Sequence, residues 1–549
     1  MAIDILLLNL TRFGDLLQSQ ALLEDCRRAG LRAGILCLDN FAPALPLLRH
    51  LAGSWALPGG ELLRRLDGKG PGKCWHEAPA LLLEWVERIR REAAPRHVVN
   101  LTATLPARLL ASLLAPAPEA VTGFALDPAG YGFCRGAWAA YLCGSTLQRG
   151  NAPFNMQDMF RMAARPALRA LAGGSLPPLT ETGGRLQAPS DKALDEAQGL
   201  LAAAPPGCAG FVGLQLGASH SQRQWPEDCF AEVGDGLWQA SGLCPVLLGS
   251  RAEQPLARAY AARARAPFVD AVGATSLPVL AALVSRLRLL ITNDTGTMHL
   301  AAGLGVPSLA LFLATAQPWD TGPYLPDCCC LEPALPCHPC GFRRACPHDG
   351  ACRTRIGAAG VLRLALARLE SGRWEDGVDG ELRRTARVWR TVRDAGGLAD
   401  LVCLSGHALE DRSLWLRVQR PFWRQLLDAL DSGPGQEDLL AGLPEAVRAA
   451  CRTSALAESV RPPLTEAQAL AARLPELCRL APGHPRMGQL LLRSCDQLQR
   501  VLEGSEQLTS LAYFWREIRQ ARGGDLEGLA AFCEDLAVQI RRLGQLFAA

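Results

Sequence analysis

The stretch Ile291 to Pro307, ITNDTGTMHLAAGLGVP, constrains this chain more than any other. It starts as the tail of an apolar run, Leu287 to Thr292 (LRLLIT), the pattern of a strand buried on both faces of a parallel sheet. Asn293, Asp294 and Thr295 follow as helix-capping residue types, then Gly296, then a helix predicted from about Thr297 to Gly303. A strand that feeds a helix through so short a turn gathers backbone N–H groups and the positive end of a helix dipole at one point. Such a point suits an anion, above all a phosphate. An ordinary βα unit with no ligand has the same pattern, so the reading rests on the rest of the chain.

The chain opens with an apolar strand over residues 3–9, a turn through Thr11, Arg12, Phe13, Gly14 and Asp15, and a helix over about Leu16 to Ala29. A second strand at Ala33 to Leu38 makes this a βαβ start, the mark of a parallel sheet. Helix Leu81 to Glu92, strand His97 to Leu101, helix Pro106 to Leu114 and strand Val121 to Phe124 continue it. Residues 171–190, rich in Gly and Pro and without periodicity, read as a linker. A second α/β series then runs through strands 210–215, 245–248, 268–270, 287–292 and 308–312. Two α/β domains, 1–180 and 190–357, imply a cleft between them, the usual place for a ligand. From about Ala358 helical periodicity takes over, and 358–549 is expected to be an all-helical extension. Its aromatic residues, among them Trp389, Trp415, Phe422, Trp423, Phe514 and Trp515, read as core.

Two turns lie where open α/β sheets place their ligands, at the carboxyl ends of strands. Asp15 sits at the first strand-to-helix turn, where it serves either as a reactive carboxylate or as a partner for its own helix dipole. Gly217, Ala218, Ser219 and His220 follow the strand at 210–215, with Arg223 and Trp225 ahead of a helix opened by Pro226. Small residues let backbone approach an anion, and a guanidinium can neutralise diphosphate charge; a solvated loop is the alternative. A net charge of +3 over 549 residues argues against a nucleic-acid partner. No basic n-region with a cleavage site opens the chain, and no apolar run reaches the roughly 18 residues of a membrane span. A cytoplasmic protein is expected, with peripheral contact at the inner membrane left open.

The segments TRFGDLLQSQALL, LGASHSQRQWPEDCFAEV, LLGSRAEQPLA and ITNDTGTMHLAAGLGVPSLALF, in that order, resemble glycosyltransferase family 9, the heptosyltransferase group. The resemblance covers roughly residues 1–357 and is most specific at Asp294 to Ala302. Arg223 stands where the family more often has Lys. The resemblance implies a GT-B fold of two Rossmann-like domains. It implies an inverting transfer of a sugar, with heptose from ADP-heptose preferred, to a hydroxyl of a lipopolysaccharide core or a protein. Asp15 is then the general base. Ser219, Arg223, Thr295, Gly296 and Thr297 cradle the diphosphate, Asp294 and His299 bind the donor or support the turn, and Glu253 holds the ribose or merely starts a helix. No catalytic metal is expected. A sugar-nucleotide epimerase and a non-catalytic nucleotide-sugar-binding or assembly protein are the competing readings.

Of the 20 cysteines, Cys337, Cys340, Cys346 and Cys352 have the spacing C-x2-C-x5-C-x5-C, which lets four thiolates converge on zinc or iron. Disulfides or free thiols are the alternatives, and His338 and His348 are substitute ligands. Similar loops in some family members imply a structural iron. Placed at the end of the second α/β domain within a Cys-rich stretch 328–352, such a metal is expected to fix the junction with the helices and to stand apart from the chemistry. Cys328, Cys329 and Cys330 read as buried strand residues.

Overall fold

The structure, a computed structural model, describes residues 2–66, 76–179, 183–341, 345–433 and 438–548. Part of the expected linker (180–182) and part of the cysteine loop (342–344) lie outside the described residues. The chain builds two parallel-dominated sheets followed by helices, the organisation expected of a GT-B fold. It divides into two compact units. One holds Met1–Pro95, Phe154–Arg161 and Leu171–His407; the other holds Arg96–Pro153, Met162–Ala170 and Ala408–Ala549.

In the first unit β1 (Ile5–Leu8), β2 (Ala33–Leu38) and β3 (Leu51–Leu57) pair in parallel, with β2 central. The helix expected from Leu16 to Ala29 is broken at Ser19 into Phe13–Gln18 and Gln20–Arg28. The break has a local cause. The Asn9 side-chain amide donates to the Asp15 carbonyl (2.9 Å) and to the Ser19 hydroxyl (2.8 Å), while the Ser19 N–H turns to the Leu16 carbonyl. In the second unit β4 (His97–Asn100) and β5 (Val121–Leu126) are parallel, and β6 (Gly132–Arg135) returns antiparallel to β5.

The first unit also holds an eight-stranded sheet: β7 (Gly210–Gln215), β8 (Leu243–Leu248), β9 (Val269–Asp270), β10 (Leu287–Asn293), β11 (Ser308–Leu311), β12 (Cys329–Pro333), β13 (Ala386–Arg393) and β14 (Ala399–Cys403). Their order is β14-β13-β12-β11-β10-β7-β8-β9, parallel as far as β12 and antiparallel beyond it. Cys328, Cys329 and Cys330 are buried at and before the start of β12, as expected. β10 is central and buried but for Arg288, which is why LRLLIT reads as a continuous apolar run.

The hairpin β13–β14 corrects the expectation of helix throughout 358–549. ARVWRTVR carries β-branched and aromatic residues, but its three arginines and its lack of strict alternation hide a strand. Val388 and Trp374 join Trp225, Phe230, Ile291, Leu309 and Leu331 in one core, so residues well past 358 complete the second sheet.

Helices Asp411–Ser432, Glu445–Thr453, Ala455–Leu480, Pro485–Glu503, Thr509–Arg522 and Leu526–Leu546 fill the second unit. They pack on helix Ala137–Leu147 of that unit. The Tyr141 and Trp423 rings lie 4.7 Å apart, and the Asp431 carboxylate accepts from the Ala137 N–H at 2.8 Å, at the helix start. Trp423, Phe514 and Trp515 are buried, as core residues should be. The tail thus packs on the segment 96–153. No described helix is long and apolar enough to cross a membrane.

Candidate functional site

Within the first unit two strand-to-helix turns meet. Helix Phe13–Gln18 follows β1 and helix Gly296–Leu304 follows β10. A Cβ placed on Gly14 would lie 3.0 Å from His299 Cδ2 and 3.4 Å from the Gly296 Cα. One placed on Gly296 would lie 2.6 Å from the Phe13 ring. The helix starts approach so closely that a side chain at Gly296 would displace the Phe13 ring and one at Gly14 would crowd His299. The sequence alone had put Gly14–Asp15 and Asp294–His299 on separate domains; the structure brings their backbones into contact.

Asp15 is half-buried in the first turn of its helix. One carboxylate oxygen accepts from the Arg12 backbone N–H and the other from the Gln18 side-chain amide, each at 3.3 Å. These long contacts orient the group. They also show that the helix-start role weighed for Asp15 is present in the fold.

Thr295 sits at the N-cap with extended backbone, and its side chain does not cap the helix; its hydroxyl lies 3.3 Å from that of Thr292. The helix has no acidic residue in its first turn, so nothing of its own occupies the positive end. The Thr297 hydroxyl donates to Gln215 Oε1 at 2.8 Å, pinning this helix to the end of β7. His299 is buried, with its ring against Gly14.

Arg223 is held on the adjacent loop. Its guanidinium donates to the Ser219 hydroxyl (3.0 Å), to the Asp294 carbonyl (3.1 Å) and to the Asp294 carboxylate. The cation expected to face a diphosphate is therefore ion-paired with Asp294 in this structure, with both side chains largely buried. Glu253 follows β8 and folds inward: a Cβ on Gly217 would collide with its carboxylate, which accepts from the Ser250 N–H at 2.5 Å. Glu253 thus joins the loops after β7 and β8, and its carboxylate fills the space a side chain at Gly217 would take. Ser219, Arg223, Asp294, Thr295, Gly296, Thr297 and His299 are brought together around the ends of β7 and β10.

Two further residues build the site. Asn293 is fully buried; its amide donates to the Leu216 carbonyl at 2.9 Å and its oxygen accepts from the Trp225 N–H at 3.0 Å. Gln215 receives Thr297. Both shape the loop that carries Ser219 and Arg223. Their only signal in the sequence is a polar residue ending an apolar strand, which is too common to single them out.

The cysteine loop leans on the same edge of the sheet. The Cys340 N–H donates to the Ala314 carbonyl just past β11 (2.8 Å), and the Gly350 N–H donates to Cys346 Sγ (3.3 Å). Arg353, next to Cys352, donates through Nε to the Gln224 carbonyl at 2.8 Å. The loop thus braces the residue after Arg223. Burial raises the Cys340 thiol pKa, and the nearby charges of Cys352, Cys337 and Cys346 raise it further. Cys337 is exposed, Cys340 and Cys346 are half-buried and Cys352 is buried.

Residues 177–351 match the model of glycosyltransferase family 9 (heptosyltransferase) and are a domain of that family. Lipopolysaccharide heptosyltransferase 1 of Pseudomonas aeruginosa is 33% identical over 159 residues, 29% of this chain. The match spans 43% of that relative, less than half its length. A family 9 glycosyl transferase from Veillonella parvula superposes with TM-score 0.46 at 20% identity, covering 59% of this chain and 84% of that one. The Escherichia coli ADP-heptose lipopolysaccharide heptosyltransferase II superposes with TM-score 0.48 at 17% identity, covering 68% of this chain and 100% of that one. Asp15 and the helices after 407 lie outside the residues matched by the family model.

Proposed function

We propose that this chain is an inverting glycosyltransferase that moves a sugar from a nucleotide diphosphate, with ADP-heptose as the preferred donor, to a hydroxyl acceptor. The single observation that carries the reading is the contact of two helix starts at Gly14 and Gly296, one bearing a carboxylate and the other bearing none. Such a transfer needs a base for the acceptor proton and a positive environment for the departing diphosphate. Asp15 takes the proton as the hydroxyl attacks the anomeric carbon, and the diphosphate leaves toward the start of helix Gly296–Leu304. Thr295, Gly296 and Thr297 offer backbone N–H groups there. Ser219 and Arg223 flank the diphosphate, with Arg223 released in part from Asp294 as the new anion arrives. His299 fixes the turn against Gly14, and Glu253 is the proposed holder of the ribose hydroxyls. This scheme uses side chains and a helix end for the charge that a catalytic metal would otherwise carry.

A lipopolysaccharide core sugar is the proposed acceptor, with a protein hydroxyl second. The proposed location is the cytoplasm, peripheral to the inner membrane, and no nucleic-acid partner is proposed. Cys337, Cys340, Cys346 and Cys352 are proposed to hold a structural zinc or iron. The spacing of the four thiols, one of which accepts a backbone N–H, supports that reading, although in this structure no three of their sulfurs lie within 4.8 Å of one another, so the cation would have to draw them together. The metal's role there is to stiffen the loop that supports Gln224.

The test is to incubate the full chain with ADP-heptose, with and without a core acceptor lacking its heptose. Release of ADP only in the presence of acceptor supports the reading. Conversion of the donor without acceptor would instead indicate an epimerase, and binding with no turnover under either condition would indicate a non-catalytic protein.

A further inference from the structure

A second cysteine cluster lies in the other unit. Cys134 is on β6, Cys143 is in the helix that follows it, Ala137–Leu147, and Glu517 comes from helix Thr509–Arg522. One ligand atom from each lies within 4.8 Å of the other two. We propose that Cys134, Cys143 and Glu517 form a binding site for a soft divalent cation of the zinc class, which clamps the C-terminal helices to the corner at 132–147.

The geometry fits that class. With metal–sulfur near 2.3 Å and metal–oxygen near 2.0 Å, a tetrahedral site has a sulfur–oxygen edge of about 3.5 Å. Cys134 Sγ lies 3.5 Å from Glu517 Oε2. Both cysteines are free of disulfides, Cys134 is buried, and Cys143 and Glu517 are half-buried, which leaves one side for a water as fourth ligand. Two thiolates and a carboxylate are the donors that zinc selects, and a calcium-type site would be built from oxygens alone.

Charge supports the same assignment. Ionised, the three groups carry three negative charges, and a divalent cation leaves one. Arg108, which donates to the carbonyls of Ala125 (2.8 Å) and Phe133, and Arg516, 3.8 Å from Glu517, stand beside the cluster to balance it. Without a cation, a half-buried carboxylate held against two thiols gives up part of its solvation for one sulfur hydrogen bond and the ion pair with Arg516. The ligands also join segments 383 positions apart in the sequence, a place where a crosslink constrains the unfolded chain strongly.

The test uses the full-length chain, stripped with chelator under reducing conditions and titrated with cobalt, whose thiolate charge-transfer band reports ligation by sulfur. Part of the band should vanish in Cys143→Ser and weaken in Glu517→Gln yet persist in Cys340→Ser, and zinc should displace the cobalt. Glu517→Gln is nearly isosteric, so it decides the matter if Cys143→Ser does not fold. In the parental chain, zinc should also slow alkylation of Cys134 and Cys143, read by peptide mass mapping. Parental cobalt binding in folded Cys143→Ser and Glu517→Gln, alkylation indifferent to zinc, or a Cys134–Cys143 disulfide in the metal-loaded protein would each overturn the proposal.

Discussion

The helices that start at Phe13 and at Gly296 are built alike and equipped in opposite ways. Each follows a buried parallel strand, and each has a glycine at the point of contact, where a side chain would crowd the other helix. The first places Asp15 in its opening turn, so the positive end of that helix already has an anion of its own. The second has no acid in its opening turn, and its N-cap side chain turns away. The same backbone unit therefore yields a carboxylate on one side of the contact and room for a foreign anion on the other. The division of labour proposed for the transfer follows from that difference.

The comparison can be broken first at Asp15. Asp15→Asn keeps the shape and the contact with the Arg12 N–H while removing the base, so turnover with donor and acceptor should fall by about 10²–10⁴-fold. Parental turnover would show that the carboxylate only starts its helix.

Arg223 and Asp294 sharpen the other side. Arg223→Ala removes a cation and leaves the Asp294 carboxylate facing the incoming phosphates. ADP binding should weaken by roughly tenfold or more while adenosine binding changes little, since each 1.4 kcal/mol is a factor of ten. Asp294→Asn separates two roles for that residue. If Asp294 mainly restrains Arg223, freeing the guanidinium should hold or raise ADP affinity in a calorimetric titration. A marked loss would make Asp294 a direct donor ligand.

Much of this was legible because β10 and its turn have a pattern with few alternatives: an apolar run, three capping residues and a glycine. The second α/β series was readable strand by strand for the same reason. What escaped the sequence was set by tertiary contact. The Gly14–Gly296 approach joins residues far apart in the chain, and neither glycine announces its partner. The break at Ser19 depends on the side chain of Asn9. The pairing of Arg223 with Asp294 could not be foreseen from a loop that looked free to meet phosphate. β13 was hidden because its arginines resemble those of the helices around it. Cys134 and Cys143, nine positions apart across the turn after β6, acquire a partner only when Glu517 arrives from the far end of the chain.

A smaller effect is expected at the cysteine loop. Cys340→Ser should lower the melting temperature by about 2–4 °C for each kcal/mol lost, as in a domain of 150–250 residues. Because Arg353 ties the loop to Gln224, ADP affinity should also decline, though by less than in Arg223→Ala. Chelator-washed protein should retain one zinc or iron assignable to the loop, lost in Cys340→Ser. An unchanged melting temperature together with no metal would leave these residues as packing.

The most direct test of the divided site is a calorimetric titration of ADP into the Asp15→Asn chain. If the start of helix Gly296–Leu304 holds the diphosphate and Asp15 serves only the acceptor, ADP should bind as it does to the parental chain. If ADP affinity falls as far as it does in Arg223→Ala, the two helix starts do not divide the chemistry, and the account given for the contact at Gly14 and Gly296 is wrong.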